Sequence, residues 1–253
     1  MFKTILTRIN QGYRTIKYPD GPAPPLPVRF RGRPKIHDSK CDSACTKCMD
    51  VCPTSALSKV DGKLQLDMGV CLFCGKCTAA CPNEALEFTR DHRLACARRE
   101  ELIITGDSKE PVYTPQRELP AFFNKSFKMR QVSAAGCNAC EADCNVLTTV
   151  GWDIGRFGLQ FVASPRHSDG LAITGPVSEN MRSALLTTYE AVPHPKLVLL
   201  VGSCAISGGV FKDHPETHNG AENLLPIDLY IPGCPPHPLT ILDGLLKIIQ
   251  RIK

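Results

Sequence analysis

Apolar residues change their period along this chain. At the start Phe2, Ile5, Leu6, Ile9, Tyr13 and Ile16 recur at helical spacing, with Lys3, Arg8, Arg14 and Lys17 mostly elsewhere on the wheel, which predicts a basic amphipathic helix. PDGPAPPLP (19–27) stops any helix and predicts a stiff, extended connector. Residues 31–104 break into short pieces between cysteines, with a hairpin-like insert around Asp61-Gly62. Over 105–130 the pattern is lost among Pro111, Pro115, Pro120 and mixed charge, and a surface linker is expected. Beyond Gln131 strands and helices alternate: LQFVAS (159–164) and LAIT (171–174) as strands, 178–192 as a helix, KLVLLVG (196–202) and DLYIPG (228–233) as strands, and 237–252 as a closing helix. Such alternation predicts an α/β domain with a mostly parallel sheet.

Composition narrows this picture. A 253-residue chain with 43% hydrophobic residues can bury real cores, and its apolar runs, such as LVLLV (197–201), fall far short of the roughly 20 residues that cross a bilayer. Membrane contact is therefore expected to be peripheral. MFKTILTRIN lacks the apolar stretch of a signal peptide, so reduced thiols are expected and the 14 cysteines read as ligands rather than disulfides. Charge is uneven: the first 40 residues carry a net +7 while the whole chain carries +5. The basic arm suits a membrane surface, a partner's groove or the protein's own surface. No base-reading motif accompanies it, and no nucleic acid is expected.

KCDSACTKCMDVCP and VCLFCGKCTAACP are copies of one unit. A shift of 29 residues lays Cys45 on Cys74, Cys48 on Cys77, Cys52 on Cys81, Pro53 on Pro82 and Ala56-Leu57 on Ala85-Leu86. The unit resembles the bacterial two-cluster ferredoxin, in which a tight loop supplies three thiolates and the fourth crosses to the other cluster. That resemblance implies one 4Fe-4S cluster on Cys41, Cys45, Cys48 and Cys81, and another on Cys71, Cys74, Cys77 and Cys52. Three residues separate Cys41 from Cys45 where the pattern has two, lengthening the first loop. CxxC pairs also occur in zinc sites, but consecutive triplets with C-P endings are more specific for clusters.

A further CxxC, Cys137 and Cys140 in GCNACEADC, stands far from both quartets. Ligands of parallel sheets collect beyond the carboxyl ends of the strands. Cys204 and Cys234 each follow a predicted strand and a glycine (Gly202, Gly233), so all four thiols are expected in one crevice, suited to a third iron-sulfur cluster. The alternative for Cys204 and Cys234 is that of small buried residues.

GCNACE, SPRHSDGLAITGPV, GSCAISGGVF and YIPGCPPHP, within about 131–253, resemble the small subunit of membrane-bound, energy-converting nickel-iron hydrogenases of the formate hydrogenlyase type. That family is related to the complex I subunit that carries the terminal cluster. Residues 1 to about 110, with FRGRPK, are similar to the two-cluster ferredoxin-like subunit of the same complexes. The resemblance implies a two-cluster ferredoxin-like domain (31–104), preceded by an arm and connector (1–30), and a linker (105–130) leading to a flavodoxin-like, mostly parallel α/β domain (131–253). It implies that Cys137, Cys140, Cys204 and Cys234 hold the proximal 4Fe-4S cluster beside a large subunit. The complex I subunit normally has two adjacent cysteines where this chain has Cys137-Asn138-Ala139-Cys140, which favours the hydrogenase branch.

Cys144 and Cys96, the latter in a helix-like stretch, are expected not to be ligands. His167 matches the family motif without a further role. Pro215 between His214 and His218 predicts a solvated loop rather than a metal pair. Glu141 is a candidate to orient the cluster or a partner, and Gly208-Gly209 reads as a close backbone approach. An oxidoreductase subunit follows, relaying electrons through three 4Fe-4S clusters to or from a catalytic large subunit, with membrane-arm subunits and a soluble donor or acceptor as further partners. It is expected on the cytoplasmic side of the cell membrane and, lacking a nucleophile or dinucleotide fingerprint, should not turn over substrate alone. The alternatives are the equivalent chain of a complex I-like quinone oxidoreductase and a non-redox metal-bound scaffold.

Overall fold

The computed structural model describes residues 2–108, 113–116, 118 and 121–252. Pro111 and Pro120 of the expected linker lie outside them. Helix α1 (Phe2–Gln11) forms as predicted but ends before Tyr13. Its apolar stripe is uncovered, with Phe2 77%, Ile5 53%, Leu6 46% and Ile9 68% exposed. Ile16 and Tyr18 instead pack on the body of the protein.

The cysteine-rich part is built from short antiparallel pieces. Strand β1 (Pro34–Ile36) is followed by helix α2 (Lys47–Asp50), strands β2 (Leu57–Val60) and β3 (Lys63–Asp67), helix α3 (Lys76–Ala80), and strands β4 (Leu86–Phe88) and β5 (Ile103–Ile104). β1 pairs with β4, and β3 lies between β2 and β5. The hairpin at Asp61-Gly62 is the turn between β2 and β3, whose ends pair Val60 with Lys63.

The second part is a five-stranded sheet. It contains β6 (Phe127–Ser133), helix α4 (Ala139–Val146), β7 (Leu159–Phe161), β8 (Gly170–Thr174), helix α5 (Glu179–Ala191), β9 (Leu197–Val201), helix α6 (Ser203–Ser207), β10 (Leu229–Ile231) and helix α7 (Pro238–Ile248). All neighbouring strands are parallel, in the order β7-β6-β8-β9-β10. This is the flavodoxin-like order, second-first-third-fourth-fifth, whose switch point lies between β6 and β8. β6 begins at Phe127, inside the stretch expected to be linker. Its alternation of Phe127 and Met129 with Lys128 and Arg130 is too short a pattern to stand out from the mixed charge before it.

Strand period 2 divides the sheet's side chains between two cores. Leu171 and Ile173, Val198 and Leu200, and Tyr230 face one side, and there they merge with Leu64, Leu66, Leu102 and Ile104 of the cysteine-rich part. Ala172, Leu197, Leu199, Leu229 and Ile231 face the other, against α7. The two parts therefore share one continuous apolar core. Cys96 is not helical: it exchanges backbone hydrogen bonds with Tyr230 and so extends the β10 edge antiparallel. A helix-period reading of that stretch had no way to show its partner.

Every residue of α7 is buried, as an all-round apolar helix demands. Its polar exceptions are Thr240 and the charged pair Asp243 and Lys247, which stand 2.8 Å apart across one turn. Tyr18 Oη donates to Asp243 Oδ1 at 2.7 Å, and Arg156 donates to the carbonyls of Ile16 and Tyr18 at 2.6 and 2.7 Å. The connector behind α1 is thus held to the last helix. Among the described residues no helix is long and apolar enough to cross a membrane.

Candidate metal centres

Each copy of the repeated unit makes the same local structure. After Cys52-Pro53 the chain turns through Ser55 at φ 51, and the Ala56 N–H reaches back to Cys52 Sγ at 3.2 Å. After Cys81-Pro82 it turns through Glu84 at φ 49, and the Ala85 N–H reaches Cys81 Sγ at 3.2 Å. The repeat thus encodes a backbone donor aimed at its fourth sulfur, the type of bond that tunes cluster potentials. A further N–H, from Phe73, points at Cys71 Sγ at 3.2 Å.

The quartets assemble crosswise. Cys41, Cys45, Cys48 and Cys81 line one cavity, and Cys52, Cys71, Cys74 and Cys77 line another. The longer first loop leaves Cys41 in its place beside the other three. Lys59 Nζ ties that loop down, donating to the carbonyls of Asp42, Ser43 and Cys45 at 2.7–2.8 Å. Each set of four sulfurs lines a cavity, and this donor set fits a four-iron cubane.

The third group forms at the carboxyl edge of the parallel sheet. The loop after β6 carries Cys137 and Cys140 at the switch point, Cys204 lies in α6 just after β9, and Cys234 follows β10. After burial, the Cys204 thiol is raised by Cys234 and Cys137, and that of Cys140 by Glu141 and Cys204. Two glycines make room for sulfur. A Cβ on Gly202 would stand 2.5 Å from Cys140 Sγ, and one on Gly209 would stand 2.7 Å from Cys204 Sγ, while both have positive φ. The donor set and its cradle fit a cluster. When bound, a cluster supplies one-electron redox chemistry, while burial and hydrogen bonds to sulfur set its potential.

Burial pushes the thiol of Cys71 up to about 12, and those of Cys77 and Cys204 up to about 11. Free thiols here are protonated near neutral pH, and ligation must expel those protons.

Glu141 is buried, and its Oε1 accepts from Ser133 Oγ and Thr174 Oγ1, both at 2.6 Å. These residues end β6 and β8, so the carboxylate ties the two strands together beneath the Cys137 loop. Cys144 is fully buried in the core, its thiol raised to about 12 first by burial and then by Glu141. Cys96 is also buried and raised by burial. His167 is exposed in the turn before β8, at the sheet edge opposite the cysteines. His214 and His218 lie in a loop, where His218 meets Glu179 at 2.5 Å. Two buried serines of α6, Ser203 and Ser207, donate to the carbonyls of Cys71 and Gly69, and carry no signal in the sequence beyond lying close to Cys204.

Residues 137–248 match the family described as NADH ubiquinone oxidoreductase, 20 Kd subunit, and residues 40–86 match a 4Fe-4S dicluster domain. The chain is 35% identical over 135 residues to a probable membrane-bound hydrogenase subunit of Pyrococcus furiosus, an alignment covering 53% of this chain and 81% of that protein. It is 37% identical over 144 residues to formate hydrogenlyase subunit 7 of Escherichia coli, covering 57% of this chain and 56% of that one. An NADH-quinone oxidoreductase subunit from Geotalea uraniireducens is 43% identical over 117 residues, covering 46% of this chain and 68% of that protein. With its parallel sheet, cysteine-bearing edge and ferredoxin-like quartets, the chain belongs to the family of the 20 kDa subunit of NADH ubiquinone oxidoreductase, joined in one polypeptide to a 4Fe-4S dicluster domain.

Proposed function

We propose that the chain is the electron-transfer subunit of a membrane-associated nickel-iron hydrogenase complex, carrying three 4Fe-4S clusters on Cys41/Cys45/Cys48/Cys81, Cys71/Cys74/Cys77/Cys52 and Cys137/Cys140/Cys204/Cys234. The observation that carries this reading is that two sets of four cysteines line separate cavities in the cysteine-rich part, while Cys137, Cys140, Cys204 and Cys234 come from the loops and α6 at the carboxyl edge of the parallel sheet, Cys137 and Cys234 exposed. Three four-iron clusters require about 12 iron and 12 sulfide per chain after anaerobic preparation. A folded, reconstituted chain holding only about 8 iron would sink the third site.

The hydrogenase branch is supported by the two residues between Cys137 and Cys140, and by the relatives from P. furiosus and E. coli. The identity with the NADH-quinone oxidoreductase protein of G. uraniireducens supports a second reading, in which the catalytic partner lacks nickel. Nickel analysis of the purified complex decides between them.

α1 is the part of this reading that concerns location. An uncovered apolar stripe with Lys3 and Arg8 beside it suits the cytoplasmic surface of an anionic membrane. Deleting residues 2–11 is expected to leave iron content unchanged and release the chain from membranes at lower salt. Sedimentation with vesicles and iron assay check both, and a truncated chain that loses iron would make the arm part of the fold.

A further inference from the structure

α6 joins two quartets that come from different parts of the chain. Ser203 and Ser207 lie one turn apart and are buried, 1% and 9% exposed. Ser203 Oγ is 2.7 Å from the Cys71 carbonyl oxygen and 3.1 Å from that of Gly233, and the Ser203 N–H donates to the same Gly233 carbonyl at 2.9 Å. Ser207 Oγ donates to the Gly69 carbonyl at 2.8 Å, and a Cβ on Gly69 would stand only 2.9 Å from Ile206. One hydroxyl therefore touches a residue of the second quartet, neighbours Cys204 in sequence and contacts the residue before Cys234. Leu72 and Phe73, between Cys71 and Cys74, line one cavity with Gly233 and Cys234, so the two quartets approach each other on this side.

We propose that Ser203 is a positioning residue for electron passage between the Cys52/Cys71/Cys74/Cys77 site and the Cys137/Cys140/Cys204/Cys234 site, with Ser207 as its brace. The proposal rests on the reading that both quartets hold clusters. The chain supplies a continuous route from Cys71 through its carbonyl, across the Ser203 hydrogen bond, and along one peptide to Cys204. In the step, one electron leaves the second site, which is oxidised by one, and enters the third, which is reduced by one. No bond is made or broken and no proton moves; the reductant is an external low-potential one-electron donor. A serine that merely satisfied two carbonyls would affect stability without affecting this exchange.

The test uses the full chain, prepared anaerobically with its clusters, and Ser203→Ala and Ser207→Ala. Iron content and the separate paramagnetic signals of each site are recorded first, then the magnetic interaction between the second and third sites. The rate at which the third site is reduced after flash reduction by a photoreduced flavin analogue is measured last. Ser203→Ala is expected to keep wild-type iron and separate signals, weaken the magnetic interaction and slow reduction of the third site several-fold, with Ser207→Ala showing a smaller change in the same direction. Full iron with wild-type interaction and rate in Ser203→Ala overturns the proposal. If Ser203→Ala fails to assemble its third site, Ser207→Ala decides alone: a slowed exchange supports the proposal and a wild-type rate overturns it. Absence of third-site iron from the unaltered chain would instead remove the three-cluster reading on which the proposal stands.

Discussion

Cys204→Ala and Cys234→Ala are expected to erase the same paramagnetic signal and to lower iron from about 12 to about 8 per chain, although the two positions follow different strands of the sheet. The shared loss is expected because Cys204 and Cys234 follow neighbouring parallel strands at the carboxyl edge of the sheet that also carries the Cys137–Cys140 loop, and three thiolates hold a cubane much less firmly than four. The two ferredoxin-type signals should persist, since their eight sulfurs line separate cavities. Cys144→Ala and Cys96→Ala serve as controls. Each empties a little buried volume, at a cost of about 1 kcal/mol of stability, and should leave iron unchanged. Loss of the third signal in Cys144→Ala with its retention in Cys140→Ala would overturn the ligand set. Alanine is the better replacement, because a serine oxygen can take the place of a missing sulfur.

Cys52→Ala is expected to produce the spectrum of Cys71→Ala and not that of its near neighbour Cys48→Ala. Sequence proximity predicts the opposite. Cys52 lies in the cavity of Cys71, Cys74 and Cys77, while Cys81, on the other copy, completes the cavity of Cys41, Cys45 and Cys48. Substituting either Cys52 or Cys81 should remove about 4 iron from the partner copy's site. Paired spectra and iron assays check the assignment, and uncrossed losses would show that the halves ligate independently.

Much of this arrangement could be read from residue order, because duplication and metal-ligand spacing are local properties. The crossed quartets are what the resemblance of the 29-residue repeat to a two-cluster ferredoxin implies, and the repeat survives in details as small as the left-handed turns at Ser55 and Glu84. The parallel sheet was legible from β8, β9 and β10, whose apolar runs are bounded by glycine, proline or charge. β6 was not, because its seven residues alternate like a half-exposed strand although both faces are covered from distant parts of the chain. The same limit hid the bridge at Cys96 and the serines of α6. Their roles lie in partners, Tyr230 and the Cys71 carbonyl, at long sequence separation, and no local pattern marks such a partner.

The hold of Asp243 on Tyr18 spans 225 residues of chain. A ribosome exposes the arm long before it exposes α7, so at first the connector can close only on the Gly151 carbonyl and the Arg156 guanidinium. Once α7 has emerged and buried its Asp243–Lys247 pair, the Tyr18 hydroxyl gains its acceptor. The root of the arm is therefore tied both to the middle of the chain and to α7, so a shift in how α7 packs would be felt where α1 leaves the body.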